Sequence, residues 1–149
     1  MAVEPEVRSA LPADRDECIR LENEARLGLS EQRGGEAWLA EHPPLSSLSV
    51  WPDTWVGTID GVIVGFLVGS TRDDAVRGRL FTVDRVYVRA EARELGFGDA
   101  LVAVAMGAAR ESGCRYFEAT ALPGDRETKN LYERAAVTAR SIVVSRRLD

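Results

Sequence analysis

Apolar residues fall in short bursts along the chain, and each burst ends at a turn or capping signal. Residues 7–11 form a brief β-type stretch. Asp14, with Glu17 three places further on, has capping-box spacing and predicts a helix that carries Ile19 and Leu21 inward. Gly28, Gly34-Gly35, Pro43-Pro44 and Pro52 interrupt residues 27–52, leaving room for one short helix near 36–41. Two β-rich runs, 55–59 and 62–69, flank Asp60-Gly61, a pair suited to a hairpin turn that needs positive φ twice. A polar loop is expected over 70–78, then a strong strand over 80–88. Residues 99–111 read as a helix with Leu101, Ala105 and Ala108 on one face and Gly113 as its stop. A strand over 116–122, a turn at Pro123-Gly124, a helix over 126–136 capped by Asp125, and a last strand over 139–144 complete the pattern. Helices alternate with strands around an embedded hairpin, so the expected class is α/β (α+β) with a mixed sheet.

The chain has 149 residues, which suits one domain over 1–149 without a linker. With 45% hydrophobic and 29% charged residues it has a globular balance. No apolar run is long enough to span a membrane, and the acidic start lacks the apolar segment of a secretory signal, so a cytoplasmic protein is expected. Cys18, Cys114 and His42 are too few for a disulfide framework or a zinc site, so no metal is expected. A net charge of −5 and 7% aromatic residues argue against nucleic-acid binding.

The charge is unevenly placed, however. Arg72, Arg77, Arg79, Arg85, Arg89 and Arg93 crowd one stretch, which suggests a local field for a polyanion. That stretch runs into Arg93-Glu94-Leu95-Gly96-Phe97-Gly98 just before a helix. Free backbone N–H groups at the positive end of a helix dipole can hold a phosphate without metal. The third glycine of a dinucleotide fingerprint is missing, since Leu101 stands there, and no Gly-Lys-Ser/Thr loop occurs. Taken alone, the two glycines fit a plain strand-to-helix turn equally well.

Val88-x-x-Glu91-x-Arg93-x-x-Gly96-x-Gly98-x-x-Leu101 resembles the signature of the GNAT superfamily of acetyl-CoA-dependent N-acyltransferases. Residues 7–14, 61–66 and the segment from Asp125 through Tyr132-Glu133-Arg134 are similar to further parts of the family pattern. Asp125 stands where the family usually has Asn, and Ala136-Val137 where it has Gly-Phe. One C-terminal strand is legible instead of two. The resemblance implies a mostly antiparallel sheet of six to seven strands, about four flanking helices and a splayed V-shaped cleft.

The resemblance also assigns roles. Main-chain groups around Val86, Tyr87 and Val88 would pair with pantetheine and stabilise the oxyanion at the thioester carbonyl. Loop amides from Arg93, Glu94, Leu95, Gly96, Phe97 and Gly98 on to Asp99 and Ala100 would hold the pyrophosphate. Tyr132 would protonate the departing thiolate. Deprotonating the amine needs a general base or a water chain. Asp84 and Glu118 are the available carboxylates, although strand alternation puts either one equally well on the solvent face. The acceptor side would draw on the segment carrying Glu22, Glu24, Glu31, Glu36 and Glu41 alongside Arg26 and Arg33, with Trp38, Trp51 and Trp55. An acidic, aromatic rim suits a cationic amine, but a solvated helix face with tryptophans anchoring loops to the core fits these residues better. The expected reaction is direct acetyl transfer from acetyl-CoA to an amine of a small molecule or protein, by a possible homodimer. The rival reading is a non-catalytic acyl-CoA-binding module.

Overall fold

In the computed structural model, which describes residues 4–149, the β-rich runs form one five-stranded sheet in sequence order. The strands are β1 (Glu6–Ser9), β2 (Asp53–Ile59), β3 (Val62–Asp74), β4 (Gly78–Val88) and β5 (Tyr116–Ala119). The first three junctions are antiparallel, and β5 joins β4 in parallel. Asp60 (φ 50°) and Gly61 (φ 80°) carry the β2–β3 turn with both φ values positive, the geometry that an Asp-Gly pair favours. The expected loop over 70–78 is instead a continuation of the hairpin. Ser70 pairs with Thr82 and Asp74 with Gly78, while the Asp74 carboxylate accepts the N–H groups of Val76 and Arg77. Polarity there marks exposure and not the end of the strand. Along the same ladder Val68 faces Arg85 and Gly69 faces Val83, which leaves Asp84 as the extra residue of a β-bulge.

Both faces of the sheet are covered, so its central strands read as nearly continuous apolar runs. Helix α1 (Arg15–Arg26) packs Cys18 and Leu21 against Val56, Phe66 and Val68, with α2 (Gly35–Glu41) following it in sequence. On the other face, α3 (Phe97–Glu111) and α4 (Arg126–Arg134) bring Leu101, Val102, Ala105, Leu131 and Tyr132 against Trp55, Leu67, Phe81 and Val83. Adjacent residues such as Leu67 and Val68 thus serve opposite layers, as the two-residue period of a strand requires. Phe97 begins α3 and is 1% exposed. A Cβ on Gly57 would stand 2.7 Å from the Phe97 ring, so the glycine lets this anchor sit on the sheet. Burying such a ring contributes about 1.5–3 kcal/mol and fixes where α3 starts.

Asp14 does not cap α1 with its side chain. Its carboxylate accepts the Leu11 N–H at 2.7 Å and pairs with Arg8 at 2.7 Å, securing the turn that leads into the helix. Asp125 does cap α4, accepting the Thr128 N–H at 3.1 Å. The six to seven strands expected become five, because residues 139–144 form no strand. Ile142, Val143 and Val144 are 85%, 90% and 87% exposed. A β-branched run makes a strand only where a ladder and a packing surface receive it. No helix among the described residues is long and apolar enough to cross a membrane.

Candidate active site

The parallel ladder between β4 and β5 is short. It runs from Leu80–Tyr116 to Val83–Ala119 and stops there, although β4 continues to Val88. Past the Asp84 bulge the two strands part, and β5 ends at Ala119 instead of reaching 122. The Arg89 N–H donates to Val64 O on β3 at 2.8 Å. Alternation along the strand therefore turns the main-chain groups of Val86 and Val88 towards the open edge and those of Tyr87 towards β3. The Val86 and Val88 side chains pack into the same cluster as Tyr132.

The open edge leads into a turn at Ala90–Ala92 and then into the glycine loop. Glu94 (φ 70°) and Gly96 (φ 88°) are left-handed, and Gly96 caps α3. Backbone N–H groups of residues 94–99 have no acceptor among the described residues. Six consecutive free donors at the start of a 15-residue helix fit an anion such as a pyrophosphate. Ala100 does not add a seventh, contrary to the sequence expectation, because its N–H donates to Gly96 O at 3.0 Å. Gly98 has a second role: a Cβ there would meet Leu131 Cδ1 at 3.3 Å, so the glycine also brings α4 close. Leu95 is exposed, and the Asp99 carboxylate pairs with Arg134 at 2.9 Å.

The crowd of arginines does not converge on this loop. Arg72, Arg77 and Arg79 lie at the opposite end of β4, roughly 30 Å away along an extended strand, and pair with Asp73, Asp74 and Glu118. Arg85 turns to α1, and Arg89 pairs with Glu91 at 3.0 Å. Arg93 folds back onto the strand end, donating from Nε to Val88 O at 3.0 Å with its guanidinium over the Tyr87 ring. The anion-binding capacity of the loop thus comes chiefly from main-chain amides.

Three side chains were expected to move protons. Asp84, at the bulge, lines a cleft of about 390 Å3 with Leu48, Val50, Trp51, Pro52, Asp53, Ser70 and Thr71. Burial raises its carboxyl above the ordinary range, against the partial opposition of Arg85 and His42. Glu118 on β5 accepts a hydrogen bond from Arg77 at 2.7 Å and from Arg140 at 3.2 Å, and these partners hold its carboxyl below the usual range. Tyr132 is 7% exposed on α4, and burial pushes its phenol well up, with Asp125 adding to the effect. Cys18 is fully buried, which raises its thiol to about 11 and makes it a packing residue.

A sequence model of the acetyltransferase (GNAT) family matches residues 16–136. The chain belongs to that family and is an acetyltransferase. Among solved structures, an aminoglycoside N-acetyltransferase, AAC(6')-Iy, in complex with the bisubstrate analog CoA-S-monomethyl-acetylneamine superimposes with TM-score 0.73 at 18% identity, covering 99% of both chains. A ribosomal-protein-alanine N-acetyltransferase from Brucella melitensis biovar Abortus 2308 gives 0.74 at 22% identity, covering 98% of this chain and 100% of the other. A transcriptional regulator from Bacillus halodurans C-125 gives 0.73 at 19%, covering 97% and 100%. These likenesses establish the GNAT fold. No curated protein sequence matches the chain.

One part of this GNAT site is misread from sequence. Glu22, expected on an acidic rim, is 2% exposed. It forms an ion pair with Arg85, lies 3.8 Å from Arg26, and accepts the Leu45 N–H at 2.8 Å. Glu24 accepts the Tyr87 hydroxyl at 2.9 Å, so the Tyr87 side chain belongs to the α1 side. Trp55 is core and stacks edge-on against Phe81. The signal for Glu22 was present: it stands four residues after Cys18 and one after Leu21, inside the buried stripe of α1.

Proposed function

We propose that this acetyltransferase moves the acetyl group of acetyl-CoA directly to a primary amine while both substrates are bound, and that the whole chain works as one domain. The observation that carries the reading is the continuity between the open main-chain edge at Val86 and Val88 and the six free amides of residues 94–99. An extended amide-bearing arm pairs with the first, and its pyrophosphate with the second. The Val88 N–H on the open edge is the proposed donor for the oxyanion, while the Val88 carbonyl is already taken by Arg93.

Asp84 is the proposed base. It takes a proton from the ammonium of the acceptor, the freed amine attacks the thioester carbon, and the C–S bond breaks as Tyr132 donates its proton to the sulfur. The surplus proton on the attacking nitrogen then restores the Tyr132 phenol, and Asp84 releases its proton to solvent. Glu118 is a poor base because its charge is stabilised by two arginines, and its proposed role is to tie β5 to the β3–β4 hairpin. The acidic cleft of Asp53 and Asp84 beside Trp51 supports a cationic acceptor. The names of two structural neighbours, one for aminoglycosides and one for a ribosomal-protein alanine, span small and protein-borne amines. Two free cysteines suit the cytoplasm, and the single-neighbour edge of β5 suits association into a homodimer, which sedimentation measures.

Calorimetric titration with acetyl-CoA and thiol-release assays against polyamines, aminoglycosides and alanine-led peptides test the reading together. Saturable binding with acceptor-dependent thiol release is expected. Binding without release from any amine would instead favour a module that holds acyl-CoA without turnover.

A further inference from the structure

Asp84 and Arg85 are neighbours in sequence, and the bulge in β4 brings both to the α1 side of the sheet. Asp84 lines the cleft beside Leu48 and Trp51, and Arg85 reaches Glu22. Opposite charges so placed ordinarily pair. These do not: among the described residues the Asp84 carboxylate makes no hydrogen bond or ion pair, while Arg85 is gripped elsewhere. Its Nη1 donates to Glu22, its Nη2 donates to Pro43 O at 2.6 Å, and its guanidinium lies 5.7 Å from the centre of the Trp38 ring. Glu22 is itself fixed by the Leu45 N–H and by Arg26, which donates in turn to His42 O at 2.8 Å. Three side chains, Glu22, Arg26 and Trp38, and three main-chain groups thus hold one guanidinium in place.

We propose that Glu22 is a positioning residue for acetyl transfer: by gripping Arg85 it keeps that guanidinium off Asp84 and leaves the carboxylate unpaired at the acceptor cleft. The inference rests on the reading of Asp84 as the base. A carboxylate paired with arginine is a much weaker base than an unpaired, desolvated one, because the cation favours its charged form. The charged and titratable groups facing Asp84 are Arg85 from β4, His42 from the segment after α2, and Asp53 at the start of β2. From β3 come only the hydroxyls of Ser70 and Thr71. Arg85 is the cation nearest to it in the chain, and Glu22 decides where Arg85 goes.

The test is a carbon-detected NMR titration of the Asp84 carboxyl in the full chain, assigned by its disappearance in Asp84→Asn. Glu22→Gln releases Arg85 and lowers the Asp84 midpoint by about one pH unit or more. Adding Arg85→Met to that variant restores the raised midpoint. A midpoint unmoved in Glu22→Gln, or still low in the double variant, overturns the proposal. Should Glu22→Gln not fold, Glu22→Asp keeps the buried charge but shortens the reach, and an unmoved midpoint there overturns it equally. A purely structural ion pair would leave the Asp84 titration where it is. Turnover is not needed for this readout, so a catalytically silent Asp84→Asn would sink the base assignment without touching the titration result.

Discussion

A Cβ on Gly98 would lie 3.3 Å from Cδ1 and 3.4 Å from Cδ2 of Leu131, so the second glycine of the loop is also the contact through which α3 admits α4. Tyr132 follows Leu131 directly, which couples the anion loop to the proposed acid. Gly98→Val overpacks this contact and is expected to cost about 1–3 kcal/mol in denaturant unfolding. It also displaces Tyr132, so acetyl-CoA binding by calorimetry and turnover should both fall.

Tyr132→Phe removes one oxygen and leaves the packing of the ring intact. Turnover is expected to drop on the order of 100-fold, the usual scale for losing a positioned acid, with acetyl-CoA affinity little changed. Because burial holds the phenol protonated well beyond neutral pH, no alkaline limb from Tyr132 should appear in the rate profile below pH 10. Unchanged turnover in the variant would remove Tyr132 from the mechanism.

Asp84 is expected to impose the acid limb of the rate profile. Its raised carboxyl must lose a proton to act as base, so the limb lies above the ordinary carboxylate range and vanishes in Asp84→Asn. The same shift has a stability sign. A group with a folded pKa above its unfolded value contributes stability at low pH and loses it as pH rises through the folded pKa. Asp84→Asn should therefore melt higher than the wild type at pH 8 and close to it at pH 3, while turning over far more slowly.

Glu118 has the opposite sign. Arg77 and Arg140 depress its carboxyl, so its contribution is present above the unfolded carboxylate range and lost as pH falls through the lower folded value. Glu118→Gln should destabilise at pH 7 by no more than about 1 kcal/mol, given its partial exposure, with the difference lost as pH falls through the depressed folded value. Turnover within about twofold of wild type is expected, and a loss on the scale predicted for Tyr132→Phe would reinstate Glu118 as the base.

The buried pair of Glu22 and Arg85 predicts non-additive stability. Glu22→Met leaves a buried arginine without its partner and should cost about 3–5 kcal/mol, whereas Glu22→Met with Arg85→Met should recover much of that loss in thermal unfolding. Additive losses would mean that the pair is hydrated and weak.

Local chemistry determined much of this protein in advance. The Asp60-Gly61 turn, the Asp125 cap, and the glycine loop opening α3 each depend on a few adjacent residues, so the order of elements and the anion loop were legible in one dimension. The inward stripe read for α1 held Ile19 and Leu21, and it took the packed structure to add Glu22 to it. Partner choice was not legible. Whether six arginines surround one ligand or disperse along a strand depends on which carboxylates approach them, and only the packed sheet decided that. Tertiary structure alone ended the β4–β5 ladder at Val83 and Ala119, made Asp84 a bulge, and separated it from Arg85. It also denied 139–144 a ladder, because strand formation needs a neighbour that no sequence pattern supplies by itself.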